Sequence, residues 1–172
     1  MPKEMHTAAG TDLSAFREEY SAIVAGWAGS PAEAAMWCGR ADFPFPPEVV
    51  VSWQSTTYTR SYVLRSGQDI VAYGELWFDT EENEAELARI VVALEARGQG
   101  MGKELVRRLT TLAMESGYKD IFMRVHPDNL PALRCYQRTG FLPVDARLAA
   151  EWNSAQPIDY VWLQHFAIEE ES

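Results

Sequence analysis

Between Ala88 and Gly117 the apolar positions change period once, and the change predicts a strand, a glycine-rich turn and a helix in that order. Ile90, Val91 and Val92 run together without a polar break, and consecutive β-branched residues favour extended backbone. A four-residue connection leads to Arg97-Gly98-Gln99-Gly100-Met101-Gly102. Leu105, Leu109 and Leu112 then recur at helical spacing, with Val106 and Ala113 widening the stripe, and Gly117 supplies the stop.

Upstream, the three- and four-residue spacing of Phe16, Tyr20, Ile23, Val24 and Trp27 predicts a first helix capped by Asp12. Ser30-Pro31 with Glu33 is a helix start, predicting a short helix over 32–38 that ends near Gly39. Phe43-Pro44-Phe45-Pro46-Pro47 breaks regular structure, and Pro47 opens another helix through Val50 and Trp53. Trp27, Trp37, Phe43, Phe45 and Trp53 read mainly as core, with a minority lining a pocket.

From Thr59 the pattern turns to strands: 59–65, a turn at Gly67, 69–79 interrupted by Gly74, and 84–92. After the helix over 102–116 come a buried strand over 120–126, a helix over 129–139, a strand opening at Gly140-Phe141, and a last strand over 158–166. Strands without strict alternation with helices favour an α/β (α+β) fold around a mixed sheet. A single domain over 1–172 is expected, with a helical segment 1–58 ahead of a sheet core 59–166.

A hydrophobic content of 47% is enough for a real core. No apolar run reaches the ~18 residues of a membrane span, and Met1–Gly10 lacks a signal-peptide pattern, so a soluble protein is expected. Cys38 and Cys135 do not form a disulfide framework, which points to a reducing cytoplasm. With three scattered histidines there is no metal-ligand spacing, and no metal is expected. A net charge of −10 argues against a nucleic-acid partner and mildly favours a cationic or amine-bearing one. Much of the acid sits in Asp79–Glu86 and the tail Glu169–Glu171, both read as solvated.

The turn between strand and helix carries the candidate chemistry. The first N–H groups of a helix lack intrahelical partners and the helix dipole adds positive charge there. Gly98, Gly100 and Gly102 let a phosphate approach the backbone, and Arg97 and Lys103 add formal charge, so the segment reads as a pyrophosphate cradle. A Walker loop is excluded because Glu104, not Ser or Thr, follows Gly102-Lys103, and a dinucleotide fingerprint needs a different glycine spacing.

RGQGMG, together with Glu86–Val92 upstream and Asn129, Tyr136 and Gly140-Phe141 downstream, resembles the GNAT superfamily of N-acetyltransferases over roughly Val71–Val144. The resemblance implies a twisted, mostly antiparallel mixed sheet flanked by helices, whose central strands splay to admit acetyl-CoA. It implies that the loop, including Gln99 and Met101, binds the coenzyme pyrophosphate, and that the strand carrying Ile90, Val91 and Val92 pairs with the pantetheine arm. A β-bulge in that strand would turn the N–H of Val91 or Val92 towards the thioester carbonyl. NLPALRCYQRTGF matches the family's Asn-x-x-Ala-x-x-x-Tyr-x-x-x-Gly-Phe, which places Asn129 against the coenzyme and Tyr136 near its sulfur as general acid. The first helices are implied to wall the acceptor site, and a homodimer is a further implication.

For the general base Glu86 leads, with Glu75 on the neighbouring strand and His126 as rivals. Cys135 has no His–Asp pairing that would support an acyl-enzyme. The expected activity is direct acetyl transfer from acetyl-CoA to a primary amine in a ternary complex, the acceptor being a small molecule or a peptide N-terminus. The alternatives are a non-catalytic acyl-CoA-binding module and an interaction protein that docks through exposed aromatics.

Overall fold

The computed structural model describes residues 10–166; the stretch before Gly10 and the acidic tail at Glu169–Glu171 lie outside the described residues. Among the described residues seven strands form one sheet: β1 (Thr11–Ala15), β2 (Thr59–Ser66), β3 (Asp69–Asp79), β4 (Glu84–Val92), β5 (Asp120–Val125), β6 (Phe141–Pro143) and β7 (Val161–His165). Their spatial order is β1-β2-β3-β4-β5-β7-β6, antiparallel throughout except for β4 and β5. The helices are α1 (Ser21–Ala25), α2 (Pro31–Cys38), α3 (Pro47–Ser52), α4 (Met101–Glu115), α5 (Leu130–Gln137) and α6 (Ala146–Asn153).

A parallel pair needs a crossover, and α4 supplies it between β4 and β5. Its Leu105, Val106, Leu109 and Ala113 are fully buried against β3 and β4. Each large side chain there contributes roughly 1.5–3 kcal/mol. Thr110 shares the buried stripe because its hydroxyl donates to the Val106 carbonyl at 2.7 Å.

The helix predicted from Asp12 is corrected. Thr11–Ala15 is an edge strand, paired from Thr11↔Ser66 to Ala15↔Tyr62, and helix begins with a 3-10 turn at Glu18–Tyr20 that leads into α1 at Ser21. The free edge of β2 offers Asp12–Ala15 a ladder that local periodicity does not register. The segment before Thr59 is therefore not wholly helical. α6 is a helix that hydrophobic pattern did not announce: no residue in it is fully buried. It is held through Trp152, 5.0 Å from both Phe122 and Trp162, and through Asn153, whose amide bonds the Tyr160 carbonyl and whose oxygen accepts from Tyr160 and Trp162. Among the described residues no helix is long and apolar enough to cross a membrane.

The aromatic region of the first half divides. Trp27 and Phe45 are buried, Phe43 is exposed, and Trp37 and Trp53 are partly buried in one cluster with ring centroids 5.4 Å apart. Trp53 joins that cluster to the sheet through Tyr73 at 6.2 Å.

Candidate active site

Two departures from regular sheet lie side by side on β4. Along β3, Tyr73 faces Val91 and Glu75 faces Ala88, so Arg89 and Ile90 together oppose Gly74. This is a β-bulge, and Arg89 takes the left-handed conformation, φ 50°, to make it. The Arg89 carbonyl accepts from the Trp37 indole at 2.8 Å, which ties α2 to the bulge. On the other side, β4 and β5 pair only from Glu84↔Asp120 to Leu87↔Met123 and then part. Ile90, Val91 and Val92 therefore line an open wedge rather than a continued ladder.

The wedge opens into a cleft of about 1020 Å³ that reaches the start of α4. Gly98 and Gly100 have φ of 75° and 83°, so both favour glycine on conformational grounds. Among the described residues no side chain caps the helix at Gly100, and a β-carbon on either glycine would meet nothing within 4 Å. Gly102 differs: it sits inside the helix, where its absent side chain faces Val92 and Cys135 at 3.4 and 3.9 Å. Arg97, Met101 and Lys103 also line the cleft. Arg97 has a second task, donating to the carbonyls of Trp27 at 2.8 Å and Val92 at 3.2 Å and pairing with Glu33. Gln99 is the loop residue that does not line the cleft; its amide donates to the Glu95 carbonyl at 3.1 Å.

Asn129 and Tyr136 reach the same cleft from α5. The Asn129 side chain caps that helix, accepting from the Ala132 N–H at 3.4 Å. Tyr136 is buried, and among the described residues nothing hydrogen-bonds its hydroxyl. Burial, seconded by Cys135, pushes its phenol above the ordinary value, so the hydroxyl stays protonated at neutral pH.

The three base candidates separate. Glu86 lines the cleft with 14% of its side chain exposed, and Arg124 holds it by Nη2 at 2.8 Å and Nε at 3.1 Å. Burial raises its carboxyl above the usual range, while Arg124 pulls the other way. Glu75 is fully buried and does not line the cleft. Its oxygens accept from Tyr73 at 2.6 Å, Trp77 at 2.8 Å and Arg89 at 2.9 Å, so its charge is spent on neighbours inside the fold. His126 lines the cleft, but its Nδ1 accepts from the Asp128 N–H at 3.1 Å.

Tertiary structure adds residues that motif reading did not single out. Arg134 on α5 and Arg138, the residue that caps its end, bring two more cations to the cleft that Lys103 lines. Trp77, Arg89, Arg124 and Tyr160 form the opposite end; Arg124 stands 4.7 Å above Trp162 and 5.6 Å from the Trp77 ring. Their one available sequence signal is alternation: Trp77 follows Glu75 by two on β3, and both reach the same neighbours.

A model of the acetyltransferase (GNAT) family matches residues 30–141. An uncharacterized N-acetyltransferase of Bacillus subtilis (strain 168) is 41% identical over 58 residues, 34% of this chain and 24% of that protein. The mycothiol acetyltransferase of Jonesia denitrificans is 30% identical over 86 residues, 49% of this chain and 26% of that protein. The matches thus span about a quarter of these curated relatives' length. Among solved structures, AAC(6')-Ib in complex with paromomycin and acetyl-CoA superposes with a TM-score of 0.74 at 16% identity, over 95% of this chain and 99% of that one. The spermidine N-acetyltransferase of Vibrio cholerae in complex with CoA and spermine gives 0.67 at 18% identity, over 80% and 83%. At these identities the structural likeness concerns the fold.

Proposed function

The chain belongs to the acetyltransferase (GNAT) family, and from that premise we propose that it transfers an acetyl group from acetyl-CoA to a primary amine. One observation carries the reading: the wedge between β4 and β5, the start of α4, and the Tyr136 hydroxyl, the last two without a side-chain partner among the described residues, share a single cleft. Backbone N–H groups at Met101, Gly102 and Lys103 suit the coenzyme pyrophosphate, with Lys103, Arg134 and Arg138 balancing its charge. The parted edge at Ile90, Val91 and Val92 suits an extended arm, and Asn129 stands beside it.

Acetyl-CoA supplies an activated thioester; the chain's residues supply proton traffic and orientation. The amine attacks only as a free base, so a proton acceptor is required. Glu86 is proposed for that part, directly or through water, because burial raises its basicity and it borders the cleft. A backbone N–H at Val91 or Val92, turned by the bulge, is proposed to face the carbonyl oxygen. Tyr136 is proposed to deliver the proton that the leaving sulfur takes up, and its protonated phenol supports this. Burial keeps the thiols of Cys38 and Cys135 protonated, which favours direct transfer over an acyl-enzyme.

The acceptor is a small-molecule amine or a peptide N-terminus, not a nucleic acid or a membrane; the net charge of −10 supports excluding nucleic acid. A cytoplasmic location and a homodimer complete the proposal, the first supported by two cysteines left as free thiols.

The test is thermal shift and calorimetry with acetyl-CoA, followed by thiol release against a panel of amines. Binding with thiol release is the expected result. Binding without release by any amine would replace the enzyme with an acyl-CoA-binding module, and absence of binding would overturn the reading.

A further inference from the structure

The protein is strongly acidic, yet the acceptor end of its cleft is not. Of the carboxylates lining the cleft, Glu33 pairs with Arg97 at the glycine loop and Asp128 follows β5. Glu86, beside Trp77, is closed by Arg124, whose Nη1 in turn donates to Gln156 at 3.1 Å. That pair is neutral and offers a polycation no spare negative charge.

Arg89 differs. Its guanidinium borders the cleft with 24% of the side chain exposed, 4.4 Å from the Trp53 ring centre and 5.1 Å from that of Trp77. Nη1 donates to Glu75 at 2.9 Å, while Nε and Nη2 donate to no described residue. Glu75 lies behind it, outside the cleft, and its oxygens are already shared among Tyr73, Trp77 and Arg89. The result is a half-buried guanidinium, ion-paired with Glu75 through one nitrogen and with donors to spare on the others, held between indole faces on the bulge where the wedge opens. Guanidinium forks match carboxylates in geometry, and partial burial strengthens the pairing. A polyamine or aminoglycoside would instead bring ammonium groups against the unshared Nε and Nη2 donors of Arg89.

We propose that the acceptor is an amine that also carries a carboxylate, a free amino acid or an amino-acid-like small molecule, and that Arg89 reads the carboxylate. This deepens the acetyltransferase reading and rests on it.

The test compares matched acceptors: the common α-amino acids, their amides, the decarboxylated amines, and spermidine and kanamycin as polycations. Thiol release gives kcat/KM, and calorimetry on the CoA complex gives acceptor Kd independently of turnover. An amino acid should outperform its own amide by about tenfold or more, the worth of one charged hydrogen bond. Arg89→Lys keeps the charge beside Glu75 but not the fork; it should erase that preference while the acetyl-CoA Kd and a cooperative melt are retained. The proposal is overturned if a polycation or an amide wins, if the preference survives in Arg89→Lys, or if acetyl-CoA binds and no amino acid binds or reacts. The wild-type comparison decides even if Arg89→Lys fails to fold. Absence of acetyl-CoA binding is a separate result that sinks the acetyltransferase reading, and this proposal with it.

Discussion

The Cδ1 atom of Ile90 lies 2.6 Å from the point where a β-carbon on Gly74 would stand. The bulge on β4 and the glycine on β3 are therefore one device: the extra residue is accommodated because its opposite position has no side chain. Leu109 and Leu105 of α4 crowd the same point at 2.9 and 3.2 Å. Gly74→Ala should destabilise the fold by about 1–3 kcal/mol through overpacking, lowering Tm by ~2–4 °C per kcal/mol. Because relief by moving Ile90 shifts the bulge, thiol release should fall more than stability accounts for. Ile90→Val removes Cδ1 and should restore part of both losses in the double variant, as read by calorimetry and kinetics. Additive losses would show that Ile90 and Gly74 are not coupled.

Gly100 tests the cradle. Its φ of 83° makes any side chain strained, and Glu adds bulk and negative charge at an uncapped helix start. Gly100→Ala carries the strain alone, at about 1–2 kcal/mol. Gly100→Glu should match Gly100→Ala in stability yet bind acetyl-CoA about a hundredfold more weakly, the worth of one or two charged hydrogen bonds. Calorimetry on the two variants separates strain from charge, and equal affinities would remove the phosphate from this loop.

Tyr136→Phe deletes one hydroxyl that is unbonded among the described residues, so the fold should lose little. A general acid is worth about 10²–10⁴-fold in rate, and kcat should fall on that scale with the acetyl-CoA Kd nearly unchanged. Parallel losses in both, measured by single-turnover kinetics and calorimetry, would make Tyr136 a binding residue.

Glu86 predicts a pH profile. Burial raises its carboxyl, and a carboxylate acts as base only above its own pKa. kcat/KM should therefore fall as pH drops through a value above the ordinary ~4.3 of glutamate, and Glu86→Gln should remove that limb along with most of the rate. Stability runs the other way. A raised folded-state pKa gives a contribution that is full below the unfolded value and is lost as pH rises through the folded one. Relative to wild type, the Glu86→Gln Tm should therefore improve as pH rises from the ordinary glutamate value of ~4.3 through the raised folded-state one. A pH-independent Tm difference would mean that the carboxyl is not shifted.

Much of the fold is local in origin and was legible in the chain. The strands over 69–79 and 84–92 have the bounds that their β-rich runs predict; β3 is buried on both faces from Ile70 to Leu76, so its burial is continuous rather than alternating. α2 starts and stops where its signals stand: Ser30 accepts from the Glu33 N–H at 3.1 Å and Gly39 takes φ 72°. α4 follows its leucine stripe, and Asn129 caps α5. The glycine loop and the Asn129–Phe141 segment were enough to point to the family and the coenzyme.

Tertiary structure decided what depends on partners far apart in sequence. β1 is a strand because β2, far along the chain, presents a free edge, and α6 stands on Trp152 meeting Phe122 and Trp162. A carboxylate's role was equally out of reach: Glu75 and Glu86 look alike along the chain. Only folding places Tyr73, Trp77 and Arg89 on the first and a bordering cleft with Arg124 on the second. Periodicity records which face a residue turns, a local property of the backbone. The charge at the acceptor end is set by which side chains meet across strands, and no single stretch of sequence contains that meeting.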